Sequence, residues 1–144
     1  MNRPPLTPED WATTWLRHSY HHAPEDFWAW EELTETVHDD PERAWPVILA
    51  LVALAQPDRL EYVGAGPLEH LIENHDQAFI DRINAQAASD PRFRETLASV
   101  WLNRRYHPPA IVARLVAASG GAIKPLEFDY EPDEDTRVAN EDGA

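Results

Sequence analysis

Apolar residues recur along this chain three and four positions apart, the period of helices lying on a core. "TPEDWATTWLRHSY" sets Trp11, Trp15 and Leu16 on one face behind Thr7, a cap, and Pro8, whose missing amide costs nothing in a first turn. "APEDFWAWEELTETVHDD" repeats the device at Pro24, and Phe27, Trp30, Leu33 and Val37 follow at intervals of 3, 3 and 4. That spacing predicts a second helix ending near His38. "DPERAWPVILALVALA" is capped by Asp40, opened by Pro41 and carries Trp45, Ile48, Leu49 and Val52. It reads as the most buried helix, with Pro46 expected to kink it or reset its start. "PDRLEYV" leaves room for a short helix only. "GAGPLEHL" then predicts a left-handed stop at Gly64 and a restart at Pro67, with Leu68, Leu71 and Ile72 turned inward. "DQAFIDRINAQAA" points Phe79, Ile80 and Ile83 inward, and "DPRFRETLASVWLNRRY" aligns Phe93, Leu97, Val100 and Trp101. "HPPAIVARLVAASGG" supplies a last helix with Ile111, Val112, Leu115 and Val116, stopped by Gly120 and Gly121. No stretch before Gly120 alternates as a half-buried strand does.

The pattern predicts an all-α fold: one domain over residues 1–120, a helical bundle or short HEAT-like stack of about seven helices. Two starts, "DPER" at Asp40 and "DPRF" at Asp90, precede tryptophan-bearing stripes and suggest stacked hairpins. Residues 121–144 are acidic, with little to bury, and read as an extended or disordered tail.

Composition changes this picture mainly through charge. Twelve basic and 26 acidic residues give −14. Residues 1–90 hold five arginines against 17 acids, residues 91–120 five arginines against Glu95 alone, and residues 121–144 two bases against eight acids. Counterion release rewards positive surfaces, so neither nucleic acid nor an anionic membrane is an expected partner, and a charged partner should be basic. Acidity that merely keeps the chain soluble is the alternative. The absence of cysteine excludes disulfides and thiolate chemistry. The start lacks the basic and apolar segments of a signal peptide, and the apolar run from Val47 to Ala55 is far short of the ~20 residues of a membrane span. A cytoplasmic protein is expected.

Several fragments in order, "FWAWEEL" (27–33), "DPERAW" (40–45), "GAGPLEHL" (64–71), "FIDRI" (79–83), "DPRF" (90–93) and "VW" (100–101), resemble a bacterial domain family of unknown function found as small stand-alone proteins. The resemblance covers roughly residues 11–105 and implies an all-helical domain, with no activity to carry over. Small acidic helical proteins of this sort invite comparison with immunity proteins to toxins, an analogy of type only.

Candidate chemistry is sparse. "GAGPLEHL" lacks the third glycine of a dinucleotide fingerprint and the lysine of a P-loop, so it reads as a helix boundary. "HSYHH" places His18 and His22 one turn apart, a chelating spacing, but two imidazoles fall short of a zinc site; a helix C-terminus explains them as well. Glu35 and His38 form a single E-x-x-H where a di-iron bundle needs two. No serine sits in a G-x-S-x-G context, and no enzyme, cofactor or metal is expected. Aromatics are the better lead. If Trp30 follows the stripe, Trp28 lies about 200° away, beside Glu31, Glu32 and Glu35. The expected partner-binding surface is therefore Trp28, Glu31, Glu32 and Glu35, with Glu69 and Glu73 from the later helix, and its partner a basic protein. Trp28 packing on another helix is the competing reading. A regulatory module, in which the tail acids Glu127, Asp129, Glu131, Asp133 and Asp135 mask the arginines of residues 92–114, is the functional alternative, followed by a small enzyme or metal protein.

Overall fold

The computed structural model describes residues 6–126. The predicted tail acids, Glu127 to Asp135, lie outside the described residues. The described chain is all-α, with one isolated parallel bridge between Asn103 and Leu126. None of its helices is long and apolar enough to cross a membrane.

Helix α1 (Pro8–His21) starts as the sequence dictates: the Thr7 hydroxyl accepts from the Asp10 amide at 3.0 Å, and Glu9 and Asp10 meet the positive helix end. It stops at His22, whose left-handed φ of 53° returns its amide to the His18 carbonyl. Pro24 opens a 3-10 turn, Pro24–Asp26, so α2 (Phe27–Asp39) begins three residues later than its proline suggests. In α3 (Pro41–Leu54), Pro46 does not reset the start: the helix runs on from Pro41 through it. An interior proline costs about 3 kcal/mol. Burial of Val47, Ile48, Leu51 and Val52, each worth about 1.5–3 kcal/mol, outweighs that.

The Gly64 stop is overturned. The short α4 (Leu60–Val63) runs through a single π-helical turn, Gly64–Leu68, into α5 (Glu69–Ser89), and Gly64 keeps right-handed angles of −66° and −47°. Pro67 has no amide to give the ladder, and the wider π register absorbs the loss. The true discontinuity comes at His75 (φ −142°, ψ 34°), where Asp76 receives the Gln77 amide and lies 2.7 Å from Nδ1 of buried His107. Helix α6 (Pro91–Leu97) is shorter than expected, and after it Val100 and Leu102 are buried while Trp101 is 68% exposed. Three apolar residues in a row hid that alternation. α7 (Pro109–Ala118) ends as predicted, at Gly120 and Gly121 with φ of 70° and 82°.

Helix α1 packs on α2 and α3, α5 packs on α6 and α7, and the two groups meet where α2 crosses α5 and α3 crosses α6. Phe79, Phe93, Leu33, Ile48, Leu51 and Leu97 form the centre. Ile123 is buried with them, its amide donating to Ser119 Oγ at 3.0 Å.

One register differs from the sequence reading with functional effect. The inward face of α2 is Ala29, Leu33, Thr36 and Val37, and Phe27 and Trp30 are 42% and 43% exposed. Trp28, expected on the surface, packs against the core with its ring 6.3 Å from Trp11. Asp26 explains the shift. It occupies the inward position that continues the Ala29 stripe, buried because both its oxygens accept from Arg17 at 2.8 Å. Ala29 has only a methyl group to stand between α2 and α1, and the Trp11 indole donates to its carbonyl at 3.0 Å.

Candidate functional site

Moving Phe27 and Trp30 to the surface opens a groove of about 580 Å³. Its walls come from the end of α1, the outer face of α2 and the π turn. Trp15, Leu33 and Val37, all buried, are part of its lining. Phe27 and Trp30 stack at 5.5 Å along one rim, and His18 meets Phe27 edge-on at 5.7 Å and His22 at 5.4 Å. Ala65, Gly66 and Pro67 of the π turn also line it, and a Cβ on Gly66 would meet nothing within 4 Å. Isolated π turns within α-helices frequently mark functional sites.

The charge in the groove belongs to Arg59. Its guanidinium lies over Tyr20 at 3.9 Å and Tyr62 at 4.9 Å, and its Nε donates to Ser19 Oγ at 3.3 Å. Asp58 is 4.0 Å from Nη1, beyond hydrogen-bond reach, and instead accepts from the Tyr20 hydroxyl at 2.8 Å. Burial, reinforced by that carboxylate, holds the Tyr20 phenol above its ordinary pKa, so it stays a donor. His70 completes the lining, which contains no carboxylate.

The expected acidic surface is beside the groove and only partly assembled. Glu31, Glu35 and Glu73 are exposed, whereas Glu32 is half-buried. Glu35 shares a shallow depression with His38, Asp39 and Asn74, and Thr34 and His70 line both the depression and the groove, so the two surfaces abut along the α2–α5 seam. Glu69 departs from the set: its Oε1 accepts from the Trp101 amide at 2.8 Å, and burial raises its carboxyl pKa above the ordinary value, with Glu73 adding to the rise. Trp28 is half-buried, packed against the core. Phe27 and Trp30 are exposed. No group of three or more metal-ligating side chains occurs among the described residues.

The arginines after residue 90 are partly engaged. Arg92 donates to the Val52 and Ala55 carbonyls at the end of α3, Arg94 to Ala87 at 2.8 Å near the end of α5, and Arg114 to Asp81 at 2.6 Å. Positive charge at helix C-termini answers the dipole there.

No single segment of the sequence encodes the groove. "HSYHH", "FWAW" and "GAGP" each carried a signal, and the fold brings all three to one cavity.

A family model matches residues 11–123, most of the chain and every residue that lines the groove. The chain belongs to DUF6869, a family of unknown function. The resemblance read from the sequence fragments is thereby established, and extends some residues further than they did. No curated protein and no solved structure matches this DUF6869 chain.

Proposed function

We propose that this DUF6869 protein is a non-enzymatic binding module whose partner is a basic protein, docked on the ridge formed by α2 and the first turns of α5. The observation that carries this reading is the exposed Phe27–Trp30 stack set beside Glu31, Glu35 and Glu73. Solvent-facing aromatics supply contact area that rewards desolvation, and acids around them steer a cation-rich partner. An immunity-like role against a basic effector is the concrete form, on the strength of the −14 charge. The test is the association rate with basic proteins encoded beside its gene, followed at rising salt. The rate should fall steeply with salt and drop in a Glu31→Arg, Glu35→Arg double variant, while Trp30→Ala speeds dissociation. A salt-independent rate, or variants that bind like the parent, overturns the reading.

A second reading keeps one supporting observation. Leu126 donates to the Leu102 carbonyl at 2.7 Å, so the chain leaves the described residues beside Arg104 and Arg105. A tail starting there is well placed to regulate the basic segment. Removal of residues 127–144 should then change anion binding or oligomeric state, and no change in either retires the idea.

A further inference from the structure

The ridge and the groove share Phe27 and Trp30 but differ in charge, with exposed acids on the ridge and Arg59 in the groove. We infer that the groove is a separate site for a small planar aromatic anion, gripped between the Trp30 and Tyr62 sides with its negative group on Arg59.

Size and wall chemistry fit that class. Small-molecule sites occupy about 300–1,000 Å³ with aromatic walls and a few placed polar groups, and this groove, at about 580 Å³, has both. Arg59 is preorganised for an anion. Two tyrosine rings and Ser19 fix its plane, Asp58 pairs with it only at 4.0 Å, and a guanidinium offers five donors. His18, His22 and His70 add imidazoles whose ring nitrogens make no hydrogen bond among the described residues.

Carboxylates are held out of the cavity. Seven acids sit next in sequence to lining residues, yet none is among the described residues of the lining: Asp26 holds Arg17, Glu69 accepts from the Trp101 amide, Asp58 accepts from the Tyr20 hydroxyl at the edge, Glu31, Glu35 and Glu61 are exposed and Glu32 is half-buried. In a chain with 26 acids, that arrangement leaves a described lining of aromatics, Arg59 and three imidazoles without a carboxylate. A lysine-rich segment would meet Arg59 there and is disfavoured.

The probes are three planar dyes of similar size: anilinonaphthalene sulfonate (anionic), phenylnaphthylamine (neutral) and aminoacridine (cationic), titrated into full-length protein by calorimetry and tryptophan quenching. The sulfonate should bind one-to-one and more tightly than the neutral dye. Arg59→Gln should weaken it roughly ten- to a hundredfold while leaving the neutral dye unchanged, the effect of losing a charge-assisted contact. Gly66→Leu, which fills the cavity from the open side of the π turn, should abolish binding of both. Thermal melts identify any variant that fails to fold, and each of the two variants tests the site without the other. Tighter binding of the cationic dye, an unchanged sulfonate affinity in Arg59→Gln, or binding that survives Gly66→Leu overturns the inference. None of these results depends on whether the ridge binds a basic protein.

Discussion

Gly64→Ala and Gly66→Ala differ by two positions in one helical segment and should move stability in opposite directions. A Cβ built on Gly64 falls 2.2 Å from the Thr96 carbonyl oxygen and 2.9 Å from the Ser99 Cβ. Carbon–oxygen contacts settle near 3.3 Å at closest, so α6 would have to retreat by about 1 Å. Phe93 and Leu97, fully buried on α6, oppose that movement. Overpacking of this kind costs about 1–3 kcal/mol, and a clash with backbone belongs at the upper end. Alanine's better helix propensity returns up to about 1 kcal/mol, leaving a net loss near 2 kcal/mol. At Gly66 nothing lies within 4 Å, so only the propensity gain of about 0.4–1 kcal/mol remains. Thermal unfolding followed by far-ultraviolet circular dichroism, with urea midpoints as a second measure, should place Gly64→Ala roughly 5–10 °C below the parent and Gly66→Ala slightly above it. If Gly64→Ala melts with the parent or above it, the π turn and α6 do not approach this closely and the role given to the glycine is wrong.

Three further outcomes follow from burial and charge. Trp28→Ala should destabilise by about 2 kcal/mol or more, and Trp30→Ala by under about 1 kcal/mol, because only the first packs on the core; equal losses in urea unfolding would refute the register given to α2. Asp26 is held below its ordinary pKa, chiefly by its hydrogen bonds to Arg17, so its contribution is present above pH ~4 and is lost as the pH falls through the lowered value. The melting-temperature gap between the parent and Arg17→Gln should therefore be wide near neutrality and close below pH ~4, and a gap that is flat across that range contradicts the pairing. Glu69 is held above its ordinary pKa chiefly by burial, so ionising it removes stability as pH rises through the raised value. Glu69→Gln, which can still accept from the Trp101 amide, should melt higher than the parent at neutral pH and lose that advantage in acid; a lower melting temperature at neutrality would show the charge to be favourable.

Element starts were legible because proline and its capping acid or hydroxyl act locally: Thr7–Pro8, Asp40–Pro41 and Asp90–Pro91 all open helices as their chemistry requires. The register of α2 was not, because Phe27, Trp30, Leu33, Val37 and Asp26, Ala29, Leu33, Val37 share the helical period almost equally. Apolarity favours the first set, and only the distant Arg17 makes the second possible by neutralising Asp26. Gly64 misled for a related reason. Its need is for close approach to Thr96, a contact 32 residues away that local turn chemistry does not encode. The acidic ridge was partly legible as composition, since Glu31, Glu35 and Glu73 are exposed, but Glu69 was drawn inward by the Trp101 amide. The groove required all of these long-range facts together.

Charge arithmetic explains how an anion site survives on a chain of −14. Acids more than a Debye length away, about 8–10 Å at ordinary salt, act on a ligand only weakly. A sulfonate or carboxylate in contact with Arg59 gains about 1 kcal/mol at 4 Å in water-like surroundings and more in a lined cavity, where screening by salt is poor. Added salt therefore removes long-range repulsion from the ridge while sparing the contact pair. Affinity at the groove should hold or rise with ionic strength, whereas association at the ridge, which depends on the same acids attracting from a distance, should slow. The two surfaces abut at Thr34 and His70, yet salt drives them in opposite directions, because Glu31, Glu35 and Glu73 face water, where salt screens them, whereas a ligand in contact with Arg59 is screened little.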